Sequence, residues 1–236
     1  MHLLQENILN AYLKIHGDHD VRDTSDPEKD TEFHKMCFHK TQRPWEFFAA
    51  WDVISKHIPE KRELSFLEIG AAKGLWSIAF IEFCKFYNKT PTYVTVSWTK
   101  PPYLEPHEIE WNNSLIKVKE FYPQVNWHWI DENSNLESSR DRVVEILPKY
   151  DYVFIDGLHT YDAVKKDTEL YKPLASTLLM YHDIQGRTKG RHSFHGNTYN
   201  VYGAIEDSGV CLHHQIISKF SCEGDSEGIG IHVVNT

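Results

Sequence analysis

Cysteine is scarce in this chain. The 4 cysteines, Cys37, Cys84, Cys211 and Cys222, stand far apart with no Cys-x-x-Cys pair, so neither a structural zinc nor a disulfide scaffold is indicated. Clustered base is scarce too: the formal net charge is −9, and only Arg187-Thr188-Lys189-Gly190-Arg191 gathers cations, which speaks against nucleic acid as a partner. No apolar run approaches the roughly 20 residues of a membrane helix. The first 15 residues, with Glu6 and Asn10 among the leucines, do not form a signal peptide, so the expectation is a soluble, cytoplasmic protein with no membrane partner. Without such a signal, Asn88-Lys89-Thr90 and Asn112-Asn113-Ser114 read as chance glycosylation patterns.

What is present is organised around Phe66-Leu67-Glu68-Ile69-Gly70-Ala71-Ala72-Lys73-Gly74. The apolar run Leu64 to Ile69, a small-residue turn and the amphipathic Leu75 to Tyr87 predict strand, tight turn and helix. Small residues admit a ligand close to backbone, a helix start at Gly74 offers free N–H groups, and Glu68 adds an acceptor. This is not the dinucleotide fingerprint, because Ala72 and Leu75 replace its second and third glycines.

The 236 residues suffice for one α/β domain, with residues 1–40 an N-terminal helix and acidic loop and 41–236 the domain proper. Leu3, Leu4, Ile8, Ala11, Tyr12 and Ile15 form a helical stripe that covers either the core or a second copy of the chain. The acid-rich stretch from His16 to Glu32 reads as a solvated loop rather than a metal site. Pro44 opens a helix whose buried face is Phe47, Ala50, Trp51, Ile54 and Ile58. Strands follow at Tyr93–Trp98, Val125–Ile130, Tyr152–Asp156 and Thr177–Tyr181, with helices at Ile109–Phe121, Leu136–Leu147 and Tyr161–Leu174 between them. A helix at Val201–Asp207 and two strands, Gln215–Phe220 and Ile229–Val234, close the chain as an antiparallel pair. The alternation predicts a Rossmann-like, doubly wound sheet of seven strands with right-handed crossovers.

Ligands of such sheets sit beyond the carboxyl ends of the strands, where Glu68, Asp131, Asp156 and Asp183 all fall. One such acid is ordinarily a helix cap; four on one edge point to a site. The most specific stretch is Phe154-Ile155-Asp156-Gly157-Leu158-His159-Thr160-Tyr161, followed by Met180-Tyr181-His182-Asp183. Together with Gln42-x-Pro44-Trp45-Glu46, Leu67-Glu68-Ile69-Gly70 and Gly228-Ile229-Gly230-Ile231, it resembles the class I S-adenosylmethionine (SAM) methyltransferases that include macrocin and rhamnosyl O-methyltransferases and cephalosporin-hydroxylase-like proteins.

The resemblance implies a SAM site lined by Glu68, Gly70, Ala72, Gly74, Ser97, Trp98 and Asp131, the last placed to accept from the adenine amino group. It also implies a divalent metal, Mg²⁺ or another, held by Asp156, His182 and Asp183 against the acceptor's hydroxyls. The chemistry suits these residue types, since methyl transfer to a hydroxyl needs its proton removed and its oxygen aligned, and a hard cation does both. His159 is a candidate general base, or alternatively only a hydrogen-bonding residue of its own turn. The chain departs from its relatives in Ser97-Trp98, where an acid commonly grips the ribose, and in Ala175-Ser176-Thr177, where a glycine pair is usual. His192, His195, His213 and His214 lack zinc-site spacing, and Gly186 to Asn197 reads as a substrate-facing loop. The expectation is a metal-assisted O-methyltransferase of a small hydroxylated molecule such as a sugar or natural product. Its alternatives are a hydroxylase-like relative on the same fold and a non-catalytic subunit that has lost SAM.

Overall fold

The computed structural model describes residues 2–16, 21–23, 36–38, 44–98, 109–184, 193–194, 197–198, 200–217 and 228–234. The main strands are β1 (Glu63–Ile69), β2 (Thr90–Val96), β3 (Asn126–Ile130), β4 (Tyr150–Ile155), β5 (Ala175–His182), β6 (His214–Ile216) and β7 (Ile229–Val233). The helices are α1 (His2–His16), α2 (Pro44–Ser55), α3 (Leu75–Phe86), α4 (Ile109–Phe121), α5 (Glu137–Ile146), α6 (Tyr161–Tyr171) and α7 (Val201–Asp207). The strands form one sheet in the order β3-β2-β1-β4-β5-β7-β6. β1 to β5 run parallel, while β7 is antiparallel to both β5 and β6. This is the Rossmann-like, doubly wound fold that the alternation of strands and helices predicts.

Strand alternation divides the core into two layers. Leu64 and Phe66 of β1, with Tyr152 and Phe154 of β4, meet α1, α2, α3 and α4 in one layer. Leu67 and Ile69, with Val153 and Ile155, meet α5, α6 and α7 in the other. The first layer is aromatic: Trp51 lies 5.6 Å from Trp76 and 5.0 Å from Phe83, and Trp76 lies 4.2 Å from Phe154, ring centre to ring centre. Burial of such side chains stabilises the fold by roughly 1.5–3 kcal/mol each. The stripe of α1 enters this layer through the buried Leu4, Ile8, Ala11 and Tyr12.

Differences from the sequence reading fall at element ends and in two short added strand pairs. β2 starts at Thr90, whose N–H bonds the Arg62 carbonyl at 3.0 Å, and it finishes at Val96, leaving Ser97 and Trp98 in the loop beyond. The expected strand Gln215–Phe220 is His214–Ile216, with 218–220 outside the described residues. Two short antiparallel pairs were not foreseen: Val21–Asp23 with Met36–Phe38, and Ser193–Phe194 with Asn197–Thr198. The remainder of the acidic stretch, and Gln42, Arg43, Arg187, Lys189, Arg191, His192 and His195, lie outside the described residues.

Candidate active site

The parallel ladder continues past the strand ends and draws three loops together. Gly70 N–H donates to Val96 O at 2.9 Å, Ser97 N–H to Ile130 O at 3.1 Å, and Asp156 N–H to Ile69 O at 2.8 Å. The turn after β1 therefore abuts the loop after β4. Gly70 has φ +84°, and a Cβ there would collide with the Asp156 carbonyl oxygen. Its smallness serves the contact between two loops, where the sequence reading assigned it to the approach of a ligand. Gly74, at φ +77°, caps α3, and a Cβ would crowd Ser77, Leu115 and Val118, so this glycine lets α3 pack against α4. Ala72, exposed between them, also has positive φ, at +40°.

Glu68 is buried at the end of β1, where its carboxylate accepts from the Tyr93 hydroxyl on β2. Burial, and then the charge of Asp156, raise its pKa well above the usual carboxyl range. Glu68 is thus an inward-facing acid behind the turn, its ionisation opposed by burial. At the next corner Ser97 is half-buried, and its carbonyl accepts from the Trp129 indole N–H at 3.0 Å. Trp98 is half-buried beside it, and Asp131, beyond β3, is exposed.

The chemistry concentrates at the ends of β4 and β5. His159 Nε2 lies 3.0 Å from Asp156 Oδ1, and His159 Nδ1 lies 2.8 Å from Asp183 Oδ2. His182 Nδ1 lies 3.2 Å from Asp156 Oδ1 and 3.3 Å from Asp183 Oδ1. Asp183 reaches this position from φ +59°, a left-handed conformation that aspartate tolerates better than most residues and that recurs at functional sites. Burial by itself would lower both histidine pKa values, but the charge of Asp183, with the contacts to Asp156, outweighs it and raises both. Burial likewise opposes ionisation of Asp156, and the charge of His182 with the hydrogen bonds from both rings overcomes it. His159, expected to have an ordinary imidazole pKa, instead sits between two carboxylates that raise it.

One ligand atom each from Asp156, His159 and His182 can be chosen so that all lie within 4.8 Å of one another, a spacing compatible with one metal ion. The trio brings in His159 beside the expected Asp156 and His182, while Asp183 braces both rings. A mixed carboxylate and imidazole set suits a divalent cation, so the residues present fit the implied group.

The sequence reading missed a buried bracket behind this edge. Asp167 of α6 is 1% exposed, and its Oδ1 accepts from Asn135 Nδ2 at 2.7 Å. Asn135 also donates to Ala163 O at 3.1 Å, and the Tyr171 hydroxyl donates to Ser134 O at 2.8 Å. These bonds pin the loop after β3 to α6, whose N-terminus follows His159 directly. The available signal was an acid at position 167, three residues after Val164 in the stripe that α6 buries.

The family described as a methyltransferase domain matches residues 67–184, half of the chain, from the glycine turn to just past Asp183. No curated protein matches. Among solved structures the chain is similar to the calicheamicin methyltransferase CalS11, with TM-score 0.52, 11% identity and 80% of this chain on 79% of that one. The SAH-bound methyltransferase PaMTH1 of Podospora anserina gives TM-score 0.52 and 13% identity, with 98% of this chain on 88% of that one. A putative class I SAM-dependent methyltransferase of Listeria monocytogenes gives TM-score 0.50 and 12% identity, with 98% on 67%. These likenesses are of fold, and the family match adds kinship: the chain belongs to the methyltransferase-domain family.

Proposed function

We propose that the protein is a cytoplasmic O-methyltransferase that transfers the methyl group of SAM to a hydroxyl of a small molecule, a sugar or sugar-bearing natural product, with the help of a divalent cation. The observation that carries this reading is the convergence of Asp156, His159, His182 and Asp183 beside the turn that follows β1. CalS11, similar in fold, is described as a TDP-rhamnose 3'-O-methyltransferase, which supports a sugar as the acceptor class.

The turn at Gly70, Ala72 and Gly74, with the start of α3, lies where this fold seats its nucleotide ligand, and Ser97, Trp98 and Asp131 flank the same edge. Asp156, His159 and His182 would hold the cation. When bound, it would lower the pKa of the acceptor hydroxyl and fix its oxygen in line with the methyl–sulfur bond. Asp183 is the proton acceptor in this reading: its Oδ2 is engaged by His159 Nδ1, and its Oδ1, 3.3 Å from His182 Nδ1, would take the proton. The methyl group then moves from sulfur to the oxygen, leaving S-adenosylhomocysteine and the methyl ether.

The test is calorimetric titration of the full chain with S-adenosylhomocysteine, followed by transfer of labelled methyl from SAM to a panel of nucleotide sugars and glycosides. Micromolar binding with labelled product supports the reading. Absence of binding with and without divalent cation overturns it.

A further inference from the structure

Magnesium prefers an all-oxygen shell, keeps several waters and is held through one or two carboxylates. The cluster at the ends of β4 and β5 has a different composition. Of the three donors that close on one another, two are imidazole nitrogens and one is a carboxylate oxygen. Imidazole suits the borderline ions Fe²⁺, Co²⁺, Ni²⁺ and Zn²⁺, and two histidines with one carboxylate, leaving open positions, are a recurrent transition-metal arrangement.

The distances fit one small dication, and it is the donor types that choose among such ions. Donors bound side by side to a small ion at about 2.1 Å stand about 3 Å apart. Asp156 Oδ1 is 3.0 Å from His159 Nε2 and 3.2 Å from His182 Nδ1. His182 is buried, 5% exposed as a side chain, and its Nδ1 is aimed into the cluster. Asp183 supplies what a metal-bound histidine ordinarily has, a carboxylate on the other ring nitrogen, here 2.8 Å from His159 Nδ1. That contact fixes the ring so that Nε2, carrying a lone pair once its proton leaves, faces Asp156.

We infer that Asp156 Oδ1, His159 Nε2 and His182 Nδ1 form a nitrogen-rich centre that selects a transition-metal dication over Mg²⁺, with Asp183 as the carboxylate that orients His159. The inference rests on the proposed function for what the ion does, but its test does not. Selectivity follows from the donors: Mg²⁺ gains little from imidazole, whereas Co²⁺ or Zn²⁺ gains a bond from each ring. An ion held by these three residues would keep open positions at which acceptor hydroxyls could bind, with no change in oxidation state.

The experiment uses the full chain, stripped with chelator and titrated separately with Co²⁺, Zn²⁺ and Mg²⁺ by calorimetry, with the visible absorption of bound Co²⁺ as a second readout. One Co²⁺ per chain, bound tighter than Mg²⁺ by on the order of tenfold or more, with an absorption band that weakens in His159→Asn and in His182→Gln, is the expected result. The two variants separate this centre from ions adsorbed on the chain's other histidines. If His182→Gln does not fold, His159→Asn, at a side chain 23% exposed, carries the comparison alone. Mg²⁺ binding as tight as Co²⁺, or a Co²⁺ signal unchanged in the variants, overturns the inference. Titration with S-adenosylhomocysteine in the same samples separates the failures, since cofactor binding without selective Co²⁺ binding spares the methyltransferase reading, and the reverse spares the metal centre.

Discussion

His159 Nδ1 stands 2.8 Å from Asp183 Oδ2 while the same ring's Nε2 stands 3.0 Å from Asp156 Oδ1, so both nitrogens of one imidazole face carboxylates. That arrangement favours the charged, doubly protonated ring. Burial opposes the charge, but Asp183 and Asp156 prevail and lift its pKa to about 10, and that of His182 to about 9.

A pH-dependent stability follows. Both histidine pKa values are raised above the unfolded value of about 6.5, so the ion pairs contribute fully below that pH. Their contribution is lost as pH rises from there towards 9 to 10. Asp156, lowered to about 2, contributes above its unfolded pKa, and that share disappears as pH falls towards 2. Thermal melts of the metal-free chain and of His159→Asn should differ most near pH 5 to 6 and converge by pH 10. A gap that is constant with pH would refute the ion-pair account. Binding a cation at His159 and His182 must expel their protons, so near pH 7.5 calorimetry in buffers of different ionisation enthalpy should show up to two protons released per ion.

Gly70→Ala tests whether the turn is built for backbone contact. The left-handed φ costs about 1–2 kcal/mol for a residue with a Cβ, and the collision with the Asp156 carbonyl adds to it. The expected outcome is a lower Tm together with weaker S-adenosylhomocysteine binding, because the displaced loop is the one that carries Asp156. A variant that melts like the wild type but fails to bind would instead place the Cβ in the ligand's space.

The order of elements was legible because apolar runs, small-residue turns and helical stripes alternate without a gap from Leu64 to Tyr181. The acids at strand ends were legible for the same reason, as the sheet puts all carboxyl ends on one edge. What sequence spacing does not carry is pairing between side chains. That Glu68 faces Tyr93, or that Asp183 adopts φ +59° and closes on His159, depends on strand register and loop geometry. The expectation of an ordinary imidazole pKa at His159 could not include the two carboxylates that raise it, since only the fold brings them to its ring. The packing role of Gly74 was not legible either, because its tight neighbours on α4 lie about 40 residues further along the chain.

Asp167 offers a second titration, opposite in origin to that of His159. Burial raises its carboxyl to about 7 against the hydrogen bonds from Ser134 and Asn135. The folded protein therefore prefers the protonated acid, and this preference, complete below the unfolded pKa of about 3.9, is lost as pH rises to about 7. Asp167→Asn keeps a carbonyl for Asn135 Nδ2 and removes the titration. Its Tm relative to wild type should rise between pH 4.5 and 8, whereas Asp167→Ala, which leaves Asn135 Nδ2 only the Ala163 carbonyl as an acceptor, should melt below Asp167→Asn at every pH by about 1–3 kcal/mol. A relative Tm of Asp167→Asn that stays flat across this range would show that Asp167 is ionised throughout.

Asp151 locks β4 to β1 at the end of the sheet away from the site. Its Oδ2 accepts from Ser65 N–H at 2.8 Å and Ser65 Oγ at 3.0 Å, its own N–H donates to Ser65 Oγ at 3.0 Å, and Lys61 Nζ lies 2.8 Å from Oδ1. The four contacts differ in worth because they differ in exposure. Lys61 is 54% exposed, so Lys61→Ala should cost less than about 1 kcal/mol and less still at high salt. Asp151→Ala strands a buried backbone N–H and a buried hydroxyl at once, a loss of about 1–3 kcal/mol for each, while Asp151→Asn retains an acceptor for Ser65 and should fall between the two. Chemical denaturation of the three variants should rank them Lys61→Ala, Asp151→Asn, Asp151→Ala in increasing loss, with S-adenosylhomocysteine affinity unchanged in all three. Equal losses for Lys61→Ala and Asp151→Ala would mean that the ion pair, and not the buried bonds to Ser65, fixes the register of β4 on β1.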